Sequence, residues 1–254
     1  MDQQKEIQML RKRFEDLANK AYTQNIFTFS DFLGLAEQDE FWKVESALRY
    51  VGVKLFGGTE NADRVMIRFG DAGTLGYEVE YPIVCVHITP LLAKFAQNLS
   101  HRDFLGALMN LGIERSALGD IKVGDKEAFL FCKESIAPFI CENLTKIAHT
   151  NVKCCITEDY KQFVDEEPEA RLLQVASLRL DAVLAKVYNV SRGECLQMFQ
   201  AGKVFVNGRL CENNSKQLKD GEVVNLRGFG KFIFEGGKSE TRKGKINVEV
   251  RIYR

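Results

Sequence analysis

The chain has 254 residues with 35 Lys+Arg against 35 Asp+Glu, and 45% of it is hydrophobic, with 18 Phe and only 4 Pro. That composition supplies ample core and excludes a disordered or fibrous chain. No apolar run approaches the ~18 to 20 residues that cross a bilayer, and the opening MDQQKEIQMLRKRFEDLANK mixes charges of both signs, so neither a membrane partner nor a signal peptide is expected.

In chain order, Ile7, Leu10, Phe14 and Leu17 recur at three- and four-residue steps and predict an amphipathic helix over Glu6–Lys20. Phe41, Val44, Leu48 and Val51 repeat the pattern in FLGLAEQDEFWKVESALRYVG, with Gly52 as the stop. The strand-like RVMIRFG follows the pair Gly57 and Gly58, so residues 1–72 read as a small α/β unit. EVEYPIVCVHIT then reads as a strand and HRDFLGALMNLG as a helix. DIKV and EAFLFC read as two strands about a turn at Gly124 and Asp125, SIAPFICENLTKIA as a helix, and NVKCCIT as a closing strand. This β-α-β-β-α-β order over residues 73–160 is the split pattern of ferredoxin-like and RRM-like domains, and the fold class is α+β. EDYKQFVDEEPEARLL places five acidic side chains between Glu158 and Glu167 and reads as a solvated connection, leaving 171–254 as a third domain.

The net charge of zero hides a polarity. From Arg171 onward 16 Lys+Arg stand against 8 Asp+Glu, a net of +8, whereas residues 1–170 hold 19 against 27, a net of −8. Clustered Lys and Arg displace condensed counterions from phosphates, so the C-terminal part is expected to bind a polyanion. Its local signals are dense. Ser177 is placed to cap LRLDAVLAKVY, with Leu180, Val183, Leu184, Val187 and Tyr188 on one face and Arg179 and Lys186 elsewhere. Ser191 and Glu194 have capping-box spacing and open RGECLQMFQA, which Gly202 ends. Arg192 sits in that first turn, against the helix dipole, which suggests a partner outside the helix such as a phosphate, although a surface arginine needs no such reason. KVFV-NG-RLC is a tight hairpin about Asn207 and Gly208. Further strands follow in DGEVVNLRGFGKFIFEGG and KINVEVRIY, joined by a basic loop with Lys238, Arg242, Lys243 and Lys245.

The segment SLRLDAVLAKVYNVSRGECLQMFQAGKVFVNGRL…LKDGEVVNLRG resembles an S4 domain, with RLD opening the first helix, SR the second, a G-x-V-x-VNG hairpin, and Asp220-Gly221 before the closing strand. Upstream, DFLGLAEQ, the glycine pair near Gly57 and HRDFLGALMNLGIERSALGDI resemble the bacterial and plastid YlmH family, in which an RRM-like domain precedes an S4 domain. The resemblance implies binding to large-subunit ribosomal RNA and to peptidyl-tRNA on the ribosome, in rescue of stalled translation (ribosome-associated quality control). Matching positions assign Arg179, Arg192, Lys203, Asn207 and Arg209 to the RNA-facing surface, with Lys186, Arg227 and Lys231 as weaker candidates; for Arg179 and Arg192 the competing reading is a structural salt bridge, and RNA contact is favoured because phosphate recognition suits the arginine fork. Turn geometry explains Asn207 equally well. Phe205, Phe229 and Phe232 are able to stack on bases, but core packing is the favoured reading. A monomer in a bacterial cytoplasm, rather than a plastid stroma, is expected.

Competing chemistry lacks its marks. The seven cysteines contain no CxxC pair and the three histidines are not at ligand spacing, so no metal or other cofactor is expected and a reducing compartment fits. His101-Arg102-Asp103 begins like a kinase catalytic loop, but the Asn comes too late and no companion motif follows; Asp103 reads instead as a helix cap or a surface contact. Gly228-Phe229-Gly230 lacks a third glycine and reads as a turn. No catalytic constellation is visible, so a binding factor is favoured over an RNA-modifying enzyme with a hidden catalytic domain or a protein-interaction module.

Overall fold

A computed structural model describes residues 3–92, 94, 97–160, 168–241 and 244–253. The chain divides into two units, Met1–Asp165 and Glu166–Arg254. Among the described residues, no helix is long and apolar enough to cross a membrane.

In the first unit, α1 (Gln3–Gln24) turns Phe14, Ala18 and Ala21 inward, where they share a cluster with Phe41 of α2 (Leu35–Leu48) and with Ile67 and Phe69 of β3 (Met66–Phe69). Of the residues whose spacing predicts the helix, Phe14 is fully buried and Leu10 and Leu17 are partly buried against this cluster, while Ala18 and Ala21 complete the inward face. β1 (Thr28–Phe29) and β2 (Val53–Phe56) flank β3 in an antiparallel sheet, and the single turn α3 (Ala72–Leu75) leads out of it.

The RRM-like part follows as β4 (Ile83–Pro90), α4 (His101–Asn110), β5 (Leu118–Val123), β6 (Ala128–Lys133), α5 (Ala137–Asn143), β7 (Lys146–Ile147) and β8 (Thr150–Thr157). The sheet order is β5-β6-β4-β8-β7, with each pair antiparallel, which is the expected split pattern plus a short edge ribbon. Phe104 and Leu108 of α4 and Ile140 of α5 pack with Val86, Ile88 and Leu130 from one face of the sheet. The helix expected through Ala148 stops at Asn143 instead, and Lys146–Ile147 pairs with the start of β8. Leu144 and Ile147 are both buried three residues apart, so a strand entry imitated one more helical turn. Asp103 takes the cap alternative: its Oδ2 accepts from the backbone N–H of Ser100, the N-cap of α4, at 2.8 Å and from the Ser100 hydroxyl at 2.7 Å.

The two parts of this unit interlock. Arg64 donates from Nε to the Leu118 carbonyl at 2.9 Å and from Nη2 to the carbonyls of Phe32 and Arg115. Asp120 accepts from the backbone N–H of Asp63 and Arg64, and Arg115 donates to the carbonyls of Leu118 and Gly119. Burial, with the charge of Arg64 beside it, pushes Arg115 down to about 10 against the pull of Asp120 and Glu37. The GIERSALGD segment is therefore a joint holding the N-terminal part onto β5.

The second unit opens with β9 (Glu169–Val175), which lies in the stretch read as the end of a solvated connection. Its edge position explains the misreading, because Leu172 and most of its neighbours are exposed and no alternation of burial marks it. Residues 161–167 of that connection lie outside the described residues. Then come α6 (Leu180–Val187), α7 (Arg192–Gln200), β10 (Val204–Val206), β11 (Arg209–Leu210), β12 (Glu222–Leu226), β13 (Gly230–Glu240) and β14 (Ile246–Ile252). The strands run in the order β11-β10-β12-β13-β14-β9. Leu180, Val183 and Leu184 of α6 and Cys195 and Phe199 of α7 form one core with Val204, Val224, Leu226, Phe232, Phe234 and Val248 of the sheet. The basic loop is shorter than read, since β13 runs to Glu240 and Lys238 pairs with Glu249 across the ladder at 3.0 Å; Arg242 and Lys243 lie outside the described residues.

Candidate RNA interface

The candidate surface begins where α6 starts. Its cap is Arg179, not Ser177. The N–H groups of Leu180 and Asp181 donate to the backbone carbonyls of Lys216 and Asn214, and Arg179 bridges to Gln217. A neighbouring loop thus satisfies the orphan donors that a serine side chain was expected to meet. α7 starts as the sequence requires: Ser191 Oγ accepts from Glu194 N–H at 3.2 Å while Glu194 Oε2 accepts from Ser191 N–H at 2.8 Å. The two first turns meet, because Cys195 Sγ contacts the carbonyl of Asp181. Arg179 and Arg192 therefore project from adjoining helix starts. The last turn of α6 adds Lys186, which is exposed.

At the sheet end, the N–H of Arg227 donates to the carbonyl of Lys203 at 2.9 Å and Val204 pairs with Leu226, which sets these two exposed cations side by side. The expected group is thus partly assembled, but its members differ in electrostatic state. Arg179 is held by Asp181 through Nε at 3.1 Å and Nη2 at 2.6 Å, with its side chain 42% exposed. Arg171, Lys216, Lys238 and Arg251 are also paired, with Glu169, Glu222, Glu249 and Glu235. Among the described residues, no carboxylate pairs with Lys186, Arg192, Lys203 or Arg227. These four are ready to meet phosphates without first breaking an ion pair. Arg209 is exposed on β11, opposite Val206.

Two expected residues have other placements. Lys231 is only 7% exposed, with its ammonium 5.0 Å from the Tyr253 ring centroid, so it is not part of an exposed basic surface. Burial of its stem beside an aromatic ring is the physical reason. Asn207 stands at φ 50, and its Oδ1 accepts from Val223 N–H at 2.9 Å while its own N–H donates to the Val223 carbonyl. Both bonds tie the hairpin to β12. Phe205 and Phe232 are buried, as read, whereas Phe229 is 48% exposed. The favoured core-packing reading therefore fails for Phe229, because nothing in the spacing tells its side from that of Phe232.

In the first unit, Cys85, Phe129 and Phe131 cluster on the sheet face away from the helices, with Ile83 and Tyr160 against them. His87 stacks on Phe129 at 4.4 Å and contacts Glu127 at 2.6 Å. Burial pushes the thiols of Cys85, Cys132 and Cys154 up to about 12, so none is primed as a nucleophile at neutral pH.

The comparisons with known proteins agree with this layout. Residues 77–161 match the family described as "Putative RNA-binding domain in YlmH", and residues 178–224 match the S4 domain. The chain is 29% identical over 201 residues to the "Ribosome-associated protein quality control protein P2" of Bacillus subtilis (strain 168), covering 78% of this chain and 77% of that one. The solved structure of the "Cell division protein ylmH from Streptococcus pneumoniae" superimposes with a TM-score of 0.50 at 15% identity, over 63% of this chain and 95% of its own, and shows a shared fold. With a YlmH-type RNA-binding domain over residues 77–161 followed by an S4 domain over 178–224, the chain is similar to the YlmH proteins in both of its parts.

Proposed function

We propose that this protein is a non-catalytic, monomeric RNA-binding factor of the bacterial cytoplasm that meets large-subunit ribosomal RNA and tRNA through its S4 unit. Its place would be the quality control of stalled nascent chains on the ribosome, a finer assignment that is supported by the name of its Bacillus subtilis relative, a ribosome-associated protein quality control protein. The observation that carries the reading is the set of four exposed cations that have no carboxylate partner among the described residues, Lys186, Arg192, Lys203 and Arg227, in the segment from Arg171 onward, whose net charge is +8. The same groups scattered as internal ion pairs would contribute little to binding a polyanion.

Cosedimentation with purified large ribosomal subunits and with tRNA across a salt series tests it. Each phosphate neutralised contributes a slope of about −0.9 to log K against log salt, so a slope of about −3 to −4 is expected. A flat response, or ribosome binding that survives replacement of all four cations by Gln, would overturn the reading.

A further inference from the structure

The β12–β13 turn carries a feature that the cation pattern alone does not explain. Leu226 pairs with Gly230, so Arg227, Gly228 and Phe229 form a three-residue loop. Gly228 at φ 88 and Gly230 at φ 110 both occupy backbone conformations that side chains resist. This bracketing holds Phe229 at the sheet end, where its ring is 48% exposed and leans edge-on against Tyr188 of the α6 end, with centroids 5.7 Å apart. Tyr188 also touches Phe232 of the core at 6.1 Å, so the exposed ring is backed by a fixed partner. On the same loop the Arg227 guanidinium lies 5.9 Å over the Phe205 ring, and Lys203 is joined to Arg227 through the backbone.

An exposed phenylalanine costs stability, since its apolar surface remains in water. Two adjoining cations with no carboxylate partner among the described residues make this an unfavourable place for an ordinary apolar protein contact, because docking there would desolvate charge. The combination suits a single-stranded nucleic acid, whose phosphates match the cations and whose bases present π faces to an aromatic ring. We infer that Phe229 is a base-stacking residue, receiving an unpaired nucleotide of the bound RNA while Lys203 and Arg227 hold the flanking phosphates. The inference rests on the RNA-binding reading of the S4 unit and adds to it a specific nucleotide site at the β12–β13 turn.

The test uses the full chain with a short single-stranded RNA carrying 2-aminopurine, whose fluorescence falls on stacking, and with purified large ribosomal subunits. Phe229→Ala and Phe229→Leu are expected to weaken oligonucleotide binding by about fivefold or more, the lower end of what one base stack supplies, and to abolish the quench. Phe229→Trp is expected to restore both. Thermal melting checks folding, and the Leu variant keeps an apolar side chain against Tyr188. If Leu binds and quenches like Phe, the ring serves packing and the inference is overturned. If the variants lose ribosomes but keep the oligonucleotide, the ring faces a ribosomal protein and the inference is again overturned. If Phe229 variants are silent while Gln at the four cations weakens RNA binding, only the stacking site is lost. A wild-type chain that binds neither RNA nor ribosomes sinks the broader reading as well.

Discussion

Gly58 lies directly against the ring of Phe131: a Cβ built on it would stand 2.2 Å from the Phe131 Cδ1 atom. Its φ of 98 is itself a conformation that L side chains rarely adopt. Phe131 points from β6 to the sheet face away from the helices, so the backbone of the N-terminal part closes over that position, and Tyr160 meets the same ring edge-on at 5.0 Å. Gly58→Ala is expected to destabilise the first unit by about 2 to 4 kcal/mol, combining overpacking with backbone strain. Gly76 offers a control, since its φ is 77 but nothing stands within 4 Å of an added Cβ, and Gly76→Ala should cost only about 1 kcal/mol. Chemical denaturation of the two variants checks the difference, and equal losses would show that Phe131 yields freely.

Arg179 and Asp181 form a fork-to-fork pair at the start of α6. The pair is half-exposed and so contributes little stability, but it occupies two donors that an RNA phosphate would otherwise use. Asp181→Asn is therefore expected to tighten RNA affinity by roughly two- to tenfold and to steepen the salt dependence by about one phosphate equivalent. Arg179→Ala alone should weaken binding less than Arg192→Ala, because Arg192 has no ion pair to break among the described residues. Filter binding over a salt series reads both effects. An unchanged affinity in Asp181→Asn would mean that Arg179 does not face RNA.

The fold was legible where period and turn chemistry agreed. α1, α4, α7 and the 207–208 hairpin were each announced by buried residues at helical spacing, a cap or a positive-φ pair. Legibility failed where satisfaction came from a distant segment. Ser177 looked like a cap because no sequence rule shows that the 214–217 loop meets the first turn of α6. β9 was invisible because an edge strand made by pairing with β14 needs no alternating pattern. In the candidate site the same limit applies: residue type marked Lys231 as a cation, but only the fold puts Tyr253 beside it and takes it out of water. The ion pairs that separate Arg179 from Arg192 are likewise spatial facts.

Asn207 separates turn geometry from RNA contact. Asn207→Ala loses a residue tolerant of φ 50 and leaves the Val223 N–H without its side-chain acceptor. A loss of about 1 to 2 kcal/mol is expected, with an RNA salt slope equal to that of the wild type. Denaturation and RNA titration on the same preparation decide it: a lowered slope with unchanged stability would return Asn207 to the interface.

The reciprocal caps predict the acid limb of stability. Hydrogen bonds from the backbone and hydroxyl of Ser191 hold the Glu194 carboxyl below its ordinary value of 4.5, and those from the hydroxyl and backbone of Ser100 hold Asp103 below 3.8. Both folded-state values are depressed, so at low pH the unfolded chain binds more protons than the native one. The stabilisation is present above the ordinary values and is lost as pH falls through the folded ones. Denaturation between pH 5 and about 2.5 should therefore show stability declining with acid, and declining less steeply in Glu194→Gln and Asp103→Asn. At neutral pH the Gln variant should be less stable than the wild type, because a neutral amide is a weaker acceptor for the Ser191 N–H and lacks the charge that favours a helix start. Curves that coincide for variant and wild type across the acid range would show that the caps open before they protonate.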